Sequence, residues 1–124
     1  MPRLVTVFML VITANLASNM ASATTAWVSG AVTRVHYDTR LVGGEVFYGG
    51  CAVTLSNTPT DTLSACGNWV SFSCVGEFNS KSEASAKYNL AQLAFVTGRN
   101  VAVNLNDQKL HNGHCFAEAV FVVE

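Results

Sequence analysis

Residues 80–105 read SKSEASAKYNLAQLAFVTGRNVAVNL, and the reading of this run decides the fold. Ser80 followed by Glu83 is a capping-box pattern: the Ser80 hydroxyl accepts the Glu83 backbone N–H, and the Glu83 carboxylate reaches back. Lys81 to Thr97 contains neither Gly nor Pro. Ala84, Tyr88, Ala91 and Phe95 recur at helical spacing, and Leu90, Leu93 and Ala94 broaden the same face. Gly98 stands where a left-handed C-cap is needed, and Arg99 complements the negative helix end. Val101, Val103 and Leu105 then alternate with Ala102, Asn104 and Asn106, the period of a half-buried strand.

Outward from this helix and strand, the chain reads as β structure. Ala26 to Tyr37 is a long, partly alternating strand, with Gly30 as a bend or bulge. Val28, Gly30, Val32 and Arg34 share one face of it. Asp38-Thr39-Arg40 supplies a turn. Glu45 to Tyr48 is a short strand bracketed by Gly43-Gly44 and Gly49-Gly50. Cys51–Leu55 and Trp69–Cys74 are strands, separated by a Ser/Thr/Asn-rich loop over 56–68. Asn106 to His114 contains Asn-Asp and Asn-Gly and reads as a turn, before a last strand over Phe116–Val123. A single helix cannot cover both faces of a large open sheet. The order predicts an α+β domain: a curled antiparallel sheet or an OB-like barrel of five to six strands with one helix.

The N-terminus has a different character. Met1-Pro2-Arg3 is a short positive segment, Leu4 to Leu16 is uncharged and mostly apolar, and Ala21-Ser22-Ala23 is a small-x-small cleavage pattern. Residues 1–23 thus read as a secretory signal peptide. Their apolar run is shorter than the roughly 20 residues that span a bilayer, so no transmembrane segment is expected. Residues 24–124 are then a single secreted domain, extracellular or periplasmic. This part retains six basic and eight acidic side chains, a net charge of −2. The basic residues are scattered, which argues against nucleic acid as a partner, because phosphate binding needs a basic face.

Cys51, Cys66, Cys74 and Cys115 all lie in that domain. An even count in a short secreted chain implies two disulfides. Four cysteines allow three pairings, and sequence alone does not choose. The favoured one joins Cys51 to Cys66 across the polar loop and Cys74 to Cys115 between a central and the last strand. No CxxC occurs, and the cysteine spacings fit no zinc pattern.

The stretch from Cys74 to Val103 passes from a Ser-rich turn into a helix that closes in Thr97-Gly98-Arg99 and leads to an alternating Val strand. It resembles the corresponding segment of bacterial toxin B subunits of the subtilase cytotoxin and pertussis type. It also resembles small secreted proteins over WVSFSC, FNSK, AQLAFVTGR and HNGHCF. The resemblance implies an OB-like fold, assembly into a homo-oligomer (a pentamer in the toxins) and glycan binding. Its motifs are structural, and no residue here matches a sugar-contacting position of those subunits.

The chemistry-bearing residues point to binding rather than catalysis. No GxSxG elbow, P-loop or dinucleotide fingerprint occurs, and disulfides consume the thiols. Glu77 with Glu83, or Asp38 with Glu45, could pair as carboxylates, but a small domain seldom builds the cleft such chemistry needs. Asp107, His111 and His114 have helical spacing, yet Asn112-Gly113 breaks a helix there, so they read as a solvated turn and no metal or cofactor is assigned. Trp27, Tyr37, Tyr48 and Trp69 flank polar or glycine-rich turns, where rings stack on sugars and amides bond hydroxyls. Trp69, Phe72 and Phe95 also suit the core, and for Trp69 and Phe95 that is the expectation. The candidate ligand-binding residues are His36, Tyr37, Arg40 and Tyr48. The expected partner is a cell-surface glycan or protein receptor, and the alternative is a secreted inhibitor or matrix protein without sugar affinity.

Overall fold

A computed structural model describes residues 24–124; the expected signal peptide at 1–23 lies outside the described residues. The elements are β1 (Thr25–Tyr37), β2 (Leu41–Val42), β3 (Glu45–Val46), β4 (Cys51–Leu55), β5 (Trp69–Ser71), α1 (Lys81–Thr97), β6 (Asn100–His111) and β7 (His114–Val123). Five of them close a barrel in the order β1-β4-β5-β7-β6, and β2 and β3 form a separate two-stranded ladder. The β5–β7 pairing is parallel and the other barrel pairings are antiparallel. The domain is therefore α+β, with an OB-like closed barrel, one helix and two disulfides.

The interior is built by alternation. Val28 and Val32 of β1, Val53 and Leu55 of β4, Val70 of β5, Val101, Val103 and Leu105 of β6 and Ala117 and Val120 of β7 point inward into one core. Phe72, just beyond β5, is fully buried among them. The bulge expected at Gly30 falls instead between Val32 and Arg34. An extra residue there inverts the facing of the rest of the strand: Arg34 leaves the Val28–Val32 face and is exposed, and Val35 packs against the core.

The helix forms as its sequence dictates. Ser80 Oγ accepts the Glu83 N–H at 3.1 Å, the hydroxyl half of the capping box, and Gly98 ends the helix at φ +69°. The packed stripe is Ala84, Tyr88, Ala91 and Ala94. Small alanines let the helix approach the barrel closely. The expectation of Phe95 in the core fails: it is 43% exposed, and Ala94 takes the buried position in the last turn. Leu90 and Leu93 are exposed as well.

Two further expectations are corrected. Residues 106–111 are strand, not turn, and the β6–β7 hairpin turns on Asn112-Gly113 alone. Asn106 is accommodated by a register shift, with its side chain bonded to Glu118 Oε1 and the Gln108 N–H. The disulfides are Cys51–Cys74 and Cys66–Cys115. Strand order explains this pairing. β4 lies against β5, which brings the start of β4 beside the chain leaving β5. The end of the polar loop meets the β6–β7 turn, where the Gly67 N–H bonds the Gly113 carbonyl, and so Cys66 meets Cys115.

Candidate functional site

The candidate site forms where residues 38–50 fold back over the outside of β1, β4 and β5. Asp38 starts this arm: its carboxylate accepts the Arg40 N–H at 2.8 Å and grips the Arg40 guanidinium through Nε and Nη2. Those hydrogen bonds to Arg40 hold the Asp38 carboxyl down at about 2, and the carboxylate in turn raises Arg40. Gly43 and Gly44, at φ +62° and +83°, turn the chain between β2 and β3. The expected strand over residues 45–48 ends at Val46, and Phe47–Gly50 form a tight 3-10 turn. Within it, Tyr48 takes φ +50°, a left-handed conformation unusual for an aromatic residue.

The hairpin turn opposite holds the arm down. The Tyr48 N–H donates to Asn112 Oδ1 at 2.9 Å, the Asn112 N–H to Glu45 Oε2 at 3.1 Å, and Asn112 Nδ2 to the Val42 carbonyl at 3.2 Å. From below, Ser71 Oγ donates to the Tyr48 carbonyl at 2.8 Å, and the Val75 N–H to that of Gly49 at 3.0 Å.

This placement assembles a wall of rings. Phe47 stacks on Tyr48 at 3.8 Å between centroids, and Tyr48 stacks on Trp69 at 5.3 Å. His36 packs against Phe47, Tyr48 and Trp69 at 5.3–5.6 Å, and His114 meets Tyr48 edge-on at 4.4 Å. The Arg34 guanidinium lies 5.0 Å from the Trp69 ring centre, and that of Arg40 lies 5.9 Å from Phe47. The ladder of three stacked rings thus has a cation at each end and an imidazole on either flank.

Of the residues expected to bind ligand, His36, Tyr48 and Arg40 meet here. Tyr37 does not join them: it is 68% exposed and lines a shallow depression of about 230 Å³ with Thr39, Gly50, Cys74, Val75 and Lys81. Trp27 sits on the far half of β1, stacked on Phe121 at 5.3 Å. The expectation that Trp69 is core is corrected. Val53 and Val70 face the interior, so their neighbours Thr54 and Trp69, paired across β4 and β5, face outward. Phe47, Arg34, His114 and Asn112 were not foreseen as site residues. The paired glycines at 49–50 and the Asn112-Gly113 turn were the available signals, since both mark places where backbone approaches backbone.

The reading of Asp107–His114 as a solvated turn also fails, because His111 is only 2% exposed. Its Nε2 is 2.9 Å from Ser73 Oγ, and its Nδ1 is 3.5 Å from Glu77 Oε2. A hydroxyl, an imidazole and a carboxylate in this order have the spacing of a nucleophilic triad. Ser73 is fully buried, however, and its Oγ already accepts the Phe78 N–H, so an acyl carbon has no approach to it. This group pins the corner after β5. Burial pushes both His111 and His114 below their ordinary pKa, and His114 Nδ1 accepts the Trp69 N–H at 3.1 Å.

The fold and site together define a small disulfide-linked barrel with a ring-lined outer face. No protein-family model, curated protein or solved structure matches the chain. Among the described residues, no helix is long and apolar enough to cross a membrane.

Proposed function

We propose that this protein is a secreted, non-catalytic binding module that recognises a glycan at the wall formed by His36, Phe47, Tyr48 and Trp69. The observation that carries the reading is the ladder itself. Three aromatic rings are gathered on the outside of the barrel rather than in its core, and Tyr48 is held in a strained backbone conformation to complete the stack. The partly exposed rims of these rings offer apolar surface to the C–H groups of a sugar, while Arg34, Arg40 and the imidazoles supply donors to its hydroxyls. Two disulfides and the signal-peptide pattern at residues 1–23 suit an oxidising, extracytoplasmic location. The resemblance of residues 74–103 to toxin B subunits rests on structural motifs and bears on the fold; self-assembly is carried into this reading as an expectation of that resemblance.

A glycan array probed with residues 24–124 tests the proposal. Selective binding to a set of related glycans is expected, with at least a tenfold loss for Trp69→Ala, since one stacked ring contributes roughly 1–3 kcal/mol by analogy with base stacking. An array without selective binders, or a Trp69→Ala variant that binds as well as the parent, overturns it.

A further inference from the structure

We propose that the arm over residues 41–50 is an acid-released cover, closed over the outer face of β1, β4 and β5 at neutral pH and lifted when histidines beneath it take up protons. The release stands on the arm's own packing; it bears on the binding reading because Phe47 and Tyr48 belong to the arm, so lifting it takes the ring wall apart and lets go of what is bound there.

The arm covers real surface. Cys51, Val53 and Leu55 of β4 point into the core, so Ala52 and Thr54 point outward; the same alternation turns Ser71 of β5 outward. Ala52 and Ser71 are nevertheless fully buried. Ser71 is bonded to the Tyr48 carbonyl, and Ala52 pairs with His36, whose ring lies against Phe47 and Tyr48. The Phe47–Gly50 turn is what shields this face.

Little apolar burial holds the outer part of the arm. Leu41 is 70% exposed, and Val42, Gly43, Gly44 and Glu45 are exposed too. Attachment depends on hydrogen bonds to Asn112, Ser71 and Val75 and on the ring contacts. Polar latches over a small hydrophobic footing open at low free-energy cost.

The chain has three histidines, and all three pack against this one turn. They come from three strands. His36 of β1 touches Phe47 and Tyr48, His114 of β7 touches Tyr48, and His111 at the end of β6 lies against Gly49. His111 and His114 are poorly arranged for a second proton. His114 Nδ1 accepts the Trp69 N–H, so protonation sets N–H against N–H. His111 is enclosed by Ser73, Gly49 and the Phe78 ring.

The charges facing these rings come from every neighbouring element. On the positive side are Arg34 of β1 and Arg40 of the arm. On the negative side, Asp38 is 3.8 Å from His36 but is held by Arg40; Glu45 of β3 is bonded to the Asn112 N–H; Glu77, after β5, is 3.5 Å from His111 and largely exposed. Burial outweighs Glu77 and Glu45 at His111, and nothing offsets it at His114.

The direction follows by linkage. The closed form binds fewer protons than the open form, so closure is unaffected well above 6.5 and weakens as pH falls below it. At pH 5, each histidine that only the open form can protonate raises the open-to-closed ratio by about 30-fold, and two raise it by roughly 1,000-fold.

Hydrogen exchange on residues 24–124 without ligand, corrected for intrinsic rates, tests this at pH 7.5 and pH 5. The Tyr48, Asn112 and Val75 amides should lose protection at the lower pH, by up to about 30-fold for each of His111 and His114, while those of Val101 and Val103 keep theirs. His114→Asn retains an acceptor for the Trp69 N–H and His111→Gln retains one for Ser73, and neither takes up a proton. Each should shrink the response, and the pair should reduce it below threefold. Unchanged arm protection, a loss shared equally by the barrel amides, or a full response in the double variant overturns the proposal. Because no ligand is present, a blank glycan array leaves this result standing, and a silent arm leaves the array result standing.

Discussion

Gly49→Ala is the sharpest test of how the arm is seated. Gly49 has φ +72°, and a Cβ added there would lie 2.5 Å from His111 Cδ2, 2.8 Å from Ser71 Oγ and 2.9 Å from His111 Cγ. Neither neighbour can move away easily. His111 is 2% exposed and tied to Ser73, and Ser71 is fully buried with its hydroxyl bonded to Tyr48. Two costs therefore add. The left-handed conformation costs an alanine about 1–2 kcal/mol, and overpacking a closed site costs about 1–3 kcal/mol more. Gly43 separates them: it has φ +62° but no atom within 4 Å of its would-be Cβ. Gly43→Ala should cost only about 1–2 kcal/mol, from conformation alone. Urea unfolding of both variants, beside the parent, reads the difference. The expected gap of about 1–3 kcal/mol corresponds to a melting temperature roughly 4–24 °C lower for Gly49→Ala than for Gly43→Ala. If the two variants unfold within about 0.5 kcal/mol of each other, the error of the extrapolation, the seating of the turn on His111 and Ser71 is wrong.

Other perturbations probe the frame. Replacing Cys66 and Cys115 by alanine opens a loop with sequence separation 49, and replacing Cys51 and Cys74 opens one of 23. On chain entropy the first pair stabilises by about 4 kcal/mol and the second by about 3.4 kcal/mol, so denaturant midpoints should fall further for the first variant. Ser80→Ala removes the hydroxyl that accepts the Glu83 N–H and should lower unfolding free energy by about 1 kcal/mol without changing the barrel's exchange pattern.

What the sequence made legible was local. The helix limits follow from Ser80, Gly98 and an uninterrupted run between them, and each signal acts within one turn of chain. The Val101–Leu105 alternation is legible for the same reason. Most of the misreadings depended on which strands are neighbours. Cysteine pairing follows from β4 lying beside β5 and from the polar loop meeting the β6–β7 turn. Trp69 faces outward because Val70 faces in, and a three-residue strand has too few alternations to fix its sidedness in sequence. Bulges at Val32/Arg34 and after Asn106 shift register at points where no glycine marks them. Phe95 is a misreading of another kind: its phase matches Ala84, Tyr88 and Ala91, but the last turn buries Ala94 instead.

The candidate site was partly legible for a related reason. His36, Arg40 and Tyr48 stand beside turn signals, and rings beside turns gather at rims. Tyr37 stands beside the same turn, yet the strand pleat sends it to the opposite face from His36. His111 and His114 were hidden because the Asn-Gly pair between them suggested a solvated loop. The Asn112 side chain is instead spent on the arm, which closes the histidines over.

The central claim is that the stacked rings form the ligand surface, and an amide chemical-shift titration of residues 24–124 with a glycan selected from the array tests it most directly. The account predicts the largest shifts at Arg34, His36, Phe47, Tyr48, Trp69 and His114, with α1 unmoved. Shifts concentrated on the exposed Leu90–Leu93 side of the helix, or at Trp27 and Phe121, would contradict it.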